Sequence, residues 1–230
     1  MSATTSKDSR PQPSVGHKNQ SLSKTVLFYR PGACALAPHI ALHWTGLEHE
    51  ARIADREDPA FRALSPSGAV PVLITPDGSV LSQAGALLLY IARTANRRDL
   101  LGQGVAHGQD LVEMWCSFFG SDFHPAFWPY FAAARFTTLE TDEARDATKA
   151  AGVRQVKQQL AKLDAHLAGR THFVGEANTL VDAYSVPMLR WCKNIAAVGL
   201  DDAPHVRAYY ARISNDEGVR AALKVQGIEP

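Results

Sequence analysis

The chain has 230 residues, 46% of them hydrophobic, and a formal charge of +1. That length supports one or two cored domains. A near-neutral balance gives no electrostatic ground for nucleic acid or an acidic membrane as a partner, and no apolar run approaches the roughly 18 residues of a membrane helix.

Residues 1–24 are polar and rich in serine, with Lys7, Arg10, Lys18 and Lys24 against Asp8 alone. There is no apolar stretch of the kind a secretory signal carries. The composition predicts a disordered extension. From Thr25 the pattern sharpens. TVLFY is a short strand. CALAPHIALHWTG has apolar residues at helical period and is closed by Gly46. HEARI is a second strand, DPAFRAL a short helix and VPVLIT a third strand. Pro76-Asp77-Gly78 is a turn signal that predicts a hairpin with SVLS. QAGALLLYIARTA is a helix with Leu87, Tyr90 and Ile91 at core spacing. The order is β-α-β-α-β-β-α. The first β-α-β implies parallel pairing through a crossover helix, and the hairpin implies antiparallel pairing.

After Gly104 the strand signals stop. Asp110 to Ala134 reads as one long helix, bent where Pro125 and Pro129 remove backbone donors. Val153, Val156, Leu160, Leu163 and Leu167 form one apolar stripe. Thr179-Leu180-Val181-Asp182 has the form of a capping box. The helix it opens carries little charge, which places it in the middle of the helical part. Two short helices follow, over 205–214 and 217–224. The division expected is 1–24, an extension; 25–103, a small α/β unit; and 104–230, all helical.

Three cysteines, Cys34, Cys116 and Cys192, are far apart and odd in number. That favours a reducing, cytoplasmic setting over a disulfide framework. No CxxC and no Cys/His cluster of zinc spacing occurs, so no metal is expected. Cys116 and Cys192 lie in apolar helical stretches and read as core. Cys34 is different. It follows a strand end and a Pro-Gly turn and stands where a helix begins, where unpaired N–H groups favour a thiolate. The turn predicts an accessible sulfur with a lowered pKa. With no second cysteine to resolve a mixed disulfide, the thiol must work with an external one, for which glutathione is the candidate.

The motifs FYRPGACALAPHIAL, LSPSGAVPVLITPDGSVLSQ, ANRRDLL, GSDFHPAF and TLVDAY, in that order, resemble the bacterial beta-class, cysteine-type glutathione S-transferases from Thr25 onward. The resemblance implies a thioredoxin-like domain followed by an all-helical domain, as a homodimer. It implies an enzyme that transfers the thiol of glutathione to electrophiles, or that carries out glutathione-dependent thiol–disulfide exchange through Cys34. Glutathione is then co-substrate and no cofactor is needed. The alternative is a non-catalytic protein of the same fold that binds a ligand or protein partner.

By the same resemblance Val70-Pro71 is a cis peptide, and Cys34 faces the glutathione sulfur with His124 nearby as acid or base. Glutathione would meet Ala35, Ala69, Val70, Pro71, Gln83, Ala84 and Ser117. Phe123, Phe127 and Trp128 would line a pocket for the second substrate. Several positions depart from the family pattern. Ala35 stands where many members have Ser, and Ser117 and Pro125 replace Asn and Lys. No lysine meets the glycyl carboxylate, a role left open to Arg52 or Arg56.

Overall fold

The structure is a computed structural model that describes residues 24–230. The disordered extension expected over residues 1–24 lies, except for Lys24, outside the described residues. Four strands form one mixed sheet in the order β2-β1-β3-β4. The central strand β1 (Thr25–Tyr29) pairs in parallel with β2 (His49–Ile53). It pairs antiparallel with β3 (Val72–Ile74), which forms a hairpin with β4 (Val80–Ser82). A parallel pair needs a crossover, and α1 (Leu36–Thr45) supplies it. Leu36, Ala37, Ile40, Ala41 and Leu42 of α1 are all fully buried. A helix apolar on every side belongs inside a protein, and α1 is packed by three others: α3 (Ala84–Thr94), α8 (Leu180–Asn194) and α10 (Glu217–Gln226). Gly46 ends it in the left-handed conformation, φ 68°, with its N–H on the Leu42 and His43 carbonyls. The short helix α2 (Pro59–Leu64) is capped by Asp58, whose carboxylate accepts from Ala60 N–H.

The thioredoxin-like unit gives way to helices at a tight junction. Gly102 and Gly108 approach so closely that a Cβ on Gly108 would overlap the Gly102 carbonyl oxygen. Only glycine fits there. The helix predicted over 110–134 is not continuous. α4 (Gly108–Phe118) runs into a π-helical turn over Phe119–Phe123, then α5 (His124–Ala126) and α6 (Trp128–Phe131). The prolines are the local reason, since neither Pro125 nor Pro129 can donate to the turn before it. A π turn also rotates the residues beyond it relative to a straight helix, and His124 is the first of them.

The long helix α7 (Asp142–Leu167) buries Val156, Leu160, Leu163 and Leu167, while Val153 is only partly covered. Gly152 of the same helix passes 2.9 Å, measured from where a Cβ would be, from Tyr130 N. The capping box at the start of α8 is present. The Thr179 N–H donates to Asp182 Oδ2 at 2.7 Å. Every residue of α8 from Leu180 to Leu189 is buried, as its low charge predicts. α9 (Pro204–Ile213) and α10 complete the chain. One hydrophobic cluster joins Leu27, Ile40 and Leu87 of the first unit to Phe119, Val186, Met188 and Leu223 of the second.

Candidate active site

Cys34 ends the turn between β1 and α1. The residue is only 8% exposed, so the freely accessible thiol expected from the sequence is not what the fold builds. The Sγ donates to the Val70 carbonyl at 3.5 Å. Burial pushes this thiol up to about 11, outweighing the backbone N–H groups of Cys34 and Ala35 and the charge of Arg30, all of which pull it down. The helix-terminus effect is therefore real but the smaller contribution, because burial removes the water that would solvate a thiolate. Val70-Pro71 is cis, as the resemblance implied. Val70 precedes the β3 ladder, which begins at Val72.

Cys34 stands in the wall of a cavity of about 790 Å³ between the two halves of the molecule. The first half contributes Arg30, Cys34, Arg56, Ala69 and Val70 to its wall, and the second His124, Trp128, Phe131, Arg135 and Trp191. Trp191 joins the two sides. Its indole N–H donates to the Gly32 carbonyl at 2.7 Å, and its ring packs 5.1 Å from His124 and 5.5 Å from Phe131. Burial lowers the His124 pKa, so the imidazole is neutral at pH 7. Arg30 carries a buried Nε with no hydrogen-bond partner. Burial and neighbouring Arg56 lower its pKa. Arg56 holds the Gly68 carbonyl through Nε at 3.1 Å. Arg52 instead pairs with Glu50 on β2 and takes no part in the cavity wall, so of the two arginines Arg56 is the one in place.

The other expected site residues divide. Phe123 and Phe127 are wholly buried and cannot line a substrate pocket; Phe127 packs edge-on beneath Trp191 at 5.2 Å. Trp128 does line the cavity and is 42% exposed. Ser117 lies on an exposed face of α4, outside the cavity wall, where its carbonyl accepts from Ser121 Oγ. Ala35 and Pro71 are buried beside the wall rather than in it. Gln83 caps and Ala84 opens α3, with Gln83 exposed and at φ 72° and Ala84 buried, and neither is in the cavity wall. Cys116 and Cys192 are core, with both thiols pushed up by burial. Sequence reasoning passed over Arg30, Phe131, Arg135 and Trp191. Arg30, directly before the Pro-Gly turn, was legible as a cation at the mouth of the thiol; Trp191 carried no local signal.

Residues 32–94 match the family described as glutathione S-transferase, N-terminal domain, and residues 127–217 match glutathione S-transferase, C-terminal domain. Glutathione S-transferase GST-4.5 of Xanthomonas campestris pv. campestris is 35% identical over 205 residues, which cover 88% of this chain and 98% of that one. The chain belongs to the glutathione S-transferase family. Among solved structures, a sphingomonad glutathione S-transferase complexed with glutathione is 38% identical to this transferase, with a TM-score of 0.75 over 88% of this chain and 98% of that one. The beta-class glutathione S-transferase of Sphingomonas chungbukensis is 35% identical, with a TM-score of 0.76 over 88% and 99%. The transferase cleft described above draws its walls from both matched segments. Cys34, Arg56 and Val70 fall in the first, and Trp128, Phe131, Arg135 and Trp191 in the second. Arg30 and His124 lie just outside them.

Proposed function

We propose that this glutathione transferase is of the beta class and that it conjugates glutathione to an aromatic electrophile, with Cys34 acting as a hydrogen-bond donor rather than as the attacking sulfur. The observation that carries this is the shared cavity: Cys34 and His124, from opposite halves of the chain, wall one space together with Arg30 and Arg56. Glutathione is an anionic peptide. Its backbone fits beside Val70, which is free of the β3 ladder. A carboxylate placed near the unpartnered Nε of Arg30 would satisfy a buried donor that the protein leaves open.

In the step proposed, the neutral His124 imidazole takes the proton of the glutathione thiol. The resulting thiolate accepts a hydrogen bond from the Cys34 S–H and attacks the electrophilic carbon, whose leaving group departs with the bonding pair. The flat walls of Trp128, Phe131 and Trp191, with the Arg135 guanidinium 5.8 Å from the Trp128 ring centre, suit an aromatic second substrate. Thiol exchange through Cys34 itself is disfavoured. A thiol at about 11 is ionised in roughly one molecule in ten thousand at pH 7. The beta-class assignment rests on the PGAC motif and the likeness to the Sphingomonas chungbukensis protein. A homodimer in the cytoplasm is the working form proposed, the second part resting on three unpaired cysteines.

The test is glutathione titration by calorimetry together with turnover of an aryl halide by wild type and Cys34→Ala. Loss of one donor hydrogen bond to a charged sulfur lowers kcat/KM about tenfold and leaves measurable conjugation. Complete loss of turnover in Cys34→Ala, with a glutathione mixed disulfide on wild-type Cys34 by intact mass, would establish the attacking role instead. Failure of the wild type to bind or turn over glutathione would remove the proposal altogether.

A further inference from the structure

We propose that His39, His43 and His49 form a binding site for a divalent transition metal, zinc being the ion that fits best, outside the glutathione cleft. The expectation of no metal rested on Cys/His spacing, and this group contains no cysteine. His39 and His43 are four apart on α1 and so share one of its faces. The chain then turns at Gly46, and His49 opens β2 against that face. One ring nitrogen from each histidine lies within 4.8 Å of the other two. The ring centres are 5.1 Å apart for His39 and His43, 5.5 Å for His39 and His49, and 5.2 Å for His43 and His49. Three imidazoles on a tetrahedral zinc, with Zn–N bonds of about 2.0–2.1 Å, have ring centres about 5 Å apart. The rings already stand at that spacing; closing around an ion requires only that their nitrogens rotate inward.

A second observation is independent of the spacing. His39 is fully buried, and its Nε2 has no hydrogen-bond partner; the buried Nε2 of His43 has none either. Buried polar atoms are normally satisfied. Here two orphans belong to one cluster of three imidazoles, and a metal ion would accept a lone pair from each. His49 is arranged as metal-bound histidines usually are. Its Nδ1 lies 2.8 Å from the Leu47 carbonyl, which fixes the proton there and leaves the Nε2 lone pair free. A surface cavity of about 420 Å³ reaches His43, and the carboxylates of Asp216 and Glu217 line it, a path suited to a cation.

Binding carries one local cost. Gln226 accepts from Gly32 N–H through Oε1 at 3.1 Å and turns its amide nitrogen to His39 Nδ1 at 3.2 Å. That arrangement leaves the His39 proton on Nε2. Ligation moves the proton to Nδ1 and turns the Gln226 amide, giving up its bond to Gly32. One neutral hydrogen bond is small against three metal–nitrogen bonds.

The experiment uses the full-length chain without a polyhistidine tag, stripped with a chelator. Zinc is titrated by calorimetry and cobalt(II) by absorbance, in wild type, His43→Ala and His49→Ala. The expected result is one zinc per chain with a dissociation constant in the micromolar range or tighter. Intense cobalt bands between about 500 and 700 nm would indicate a four-coordinate site. Affinity should fall at least tenfold in each variant. Circular dichroism and glutathione turnover check that the variants fold, and His107→Ala, an exposed histidine outside the cluster, should bind as wild type does. Zinc bound more weakly than about 100 μM, or bound equally well by His43→Ala and His49→Ala, overturns the site.

Discussion

At the scale of the residue, Cys34 has a protonation state that its place in the chain does not reveal. A helix start pulls a thiol toward the anion, yet burial pushes this one up to about 11. Alkylation by iodoacetamide should therefore rise steeply with pH and reach half its plateau only at about pH 11; a plateau near pH 8 would show that the thiolate is stabilised after all. His124 supplies the complementary test. Its lowered pKa leaves the proposed base unprotonated through the neutral range. His124→Asn should lower kcat at pH 6.5–7 by about 10²-fold, and the loss should shrink as pH rises and glutathione ionises unaided. Cys34 and His124 were legible in the sequence because each lies in a motif. The aromatics beside His124 show what was not: spacing marks a face, but only the tertiary packing decides that Phe123 and Phe127 face inward and Trp128 outward.

At the scale of the element, the start of α8 is the best-defined polar knot in the helical half. Asp182 is fully buried. It accepts from the Thr179 N–H and hydroxyl, and from the Tyr209 hydroxyl at 2.8 Å. Burial raises its pKa while these donors resist. Asp182→Ala strands the Thr179 and Tyr209 donors in a dry interior, at a cost of about 3 kcal/mol. For a chain of this size that is a fall in Tm of about 6–12 °C, to be read by calorimetry; a change under 2 °C would show that water replaces the carboxylate. The capping box was visible in TLVDAY because its chemistry is local. The break in the helix over 110–134 was only half visible. Prolines announce a bend, but the π turn ahead of them places His124 through contacts far away in sequence.

At the scale of the whole molecule, the two halves share one hydrophobic cluster and exchange the Trp191–Gly32 hydrogen bond. They should unfold in a single transition, with tryptophan fluorescence and far-UV circular dichroism superimposable; two separated midpoints would refute this. Acid should weaken that single unit. Folded His39 ionises only at about 3, against an ordinary value of 6.5. Above pH 6.5 both states are neutral and the full stability is present. As pH falls from 6.5 toward 3 the unfolded chain takes up a proton that the folded one refuses, and stability declines through that window. Urea midpoints measured from pH 7.5 to 4 should drop, and His39→Gln should flatten the slope. Fold class was readable from strand order and helical period because both are written locally. The cleft was not, since its walls come from residues 30 to 191 and only the folded chain brings them together.

The bond between Gln226 and Gly32 spans 194 positions. During translation, the loop that presents the thiol is made early and must wait for α10 before the Gly32 N–H meets its side-chain partner. A nascent chain stalled before Gln226 should carry a finished sheet but a looser turn at Pro31-Gly32, which tightens once α10 has docked.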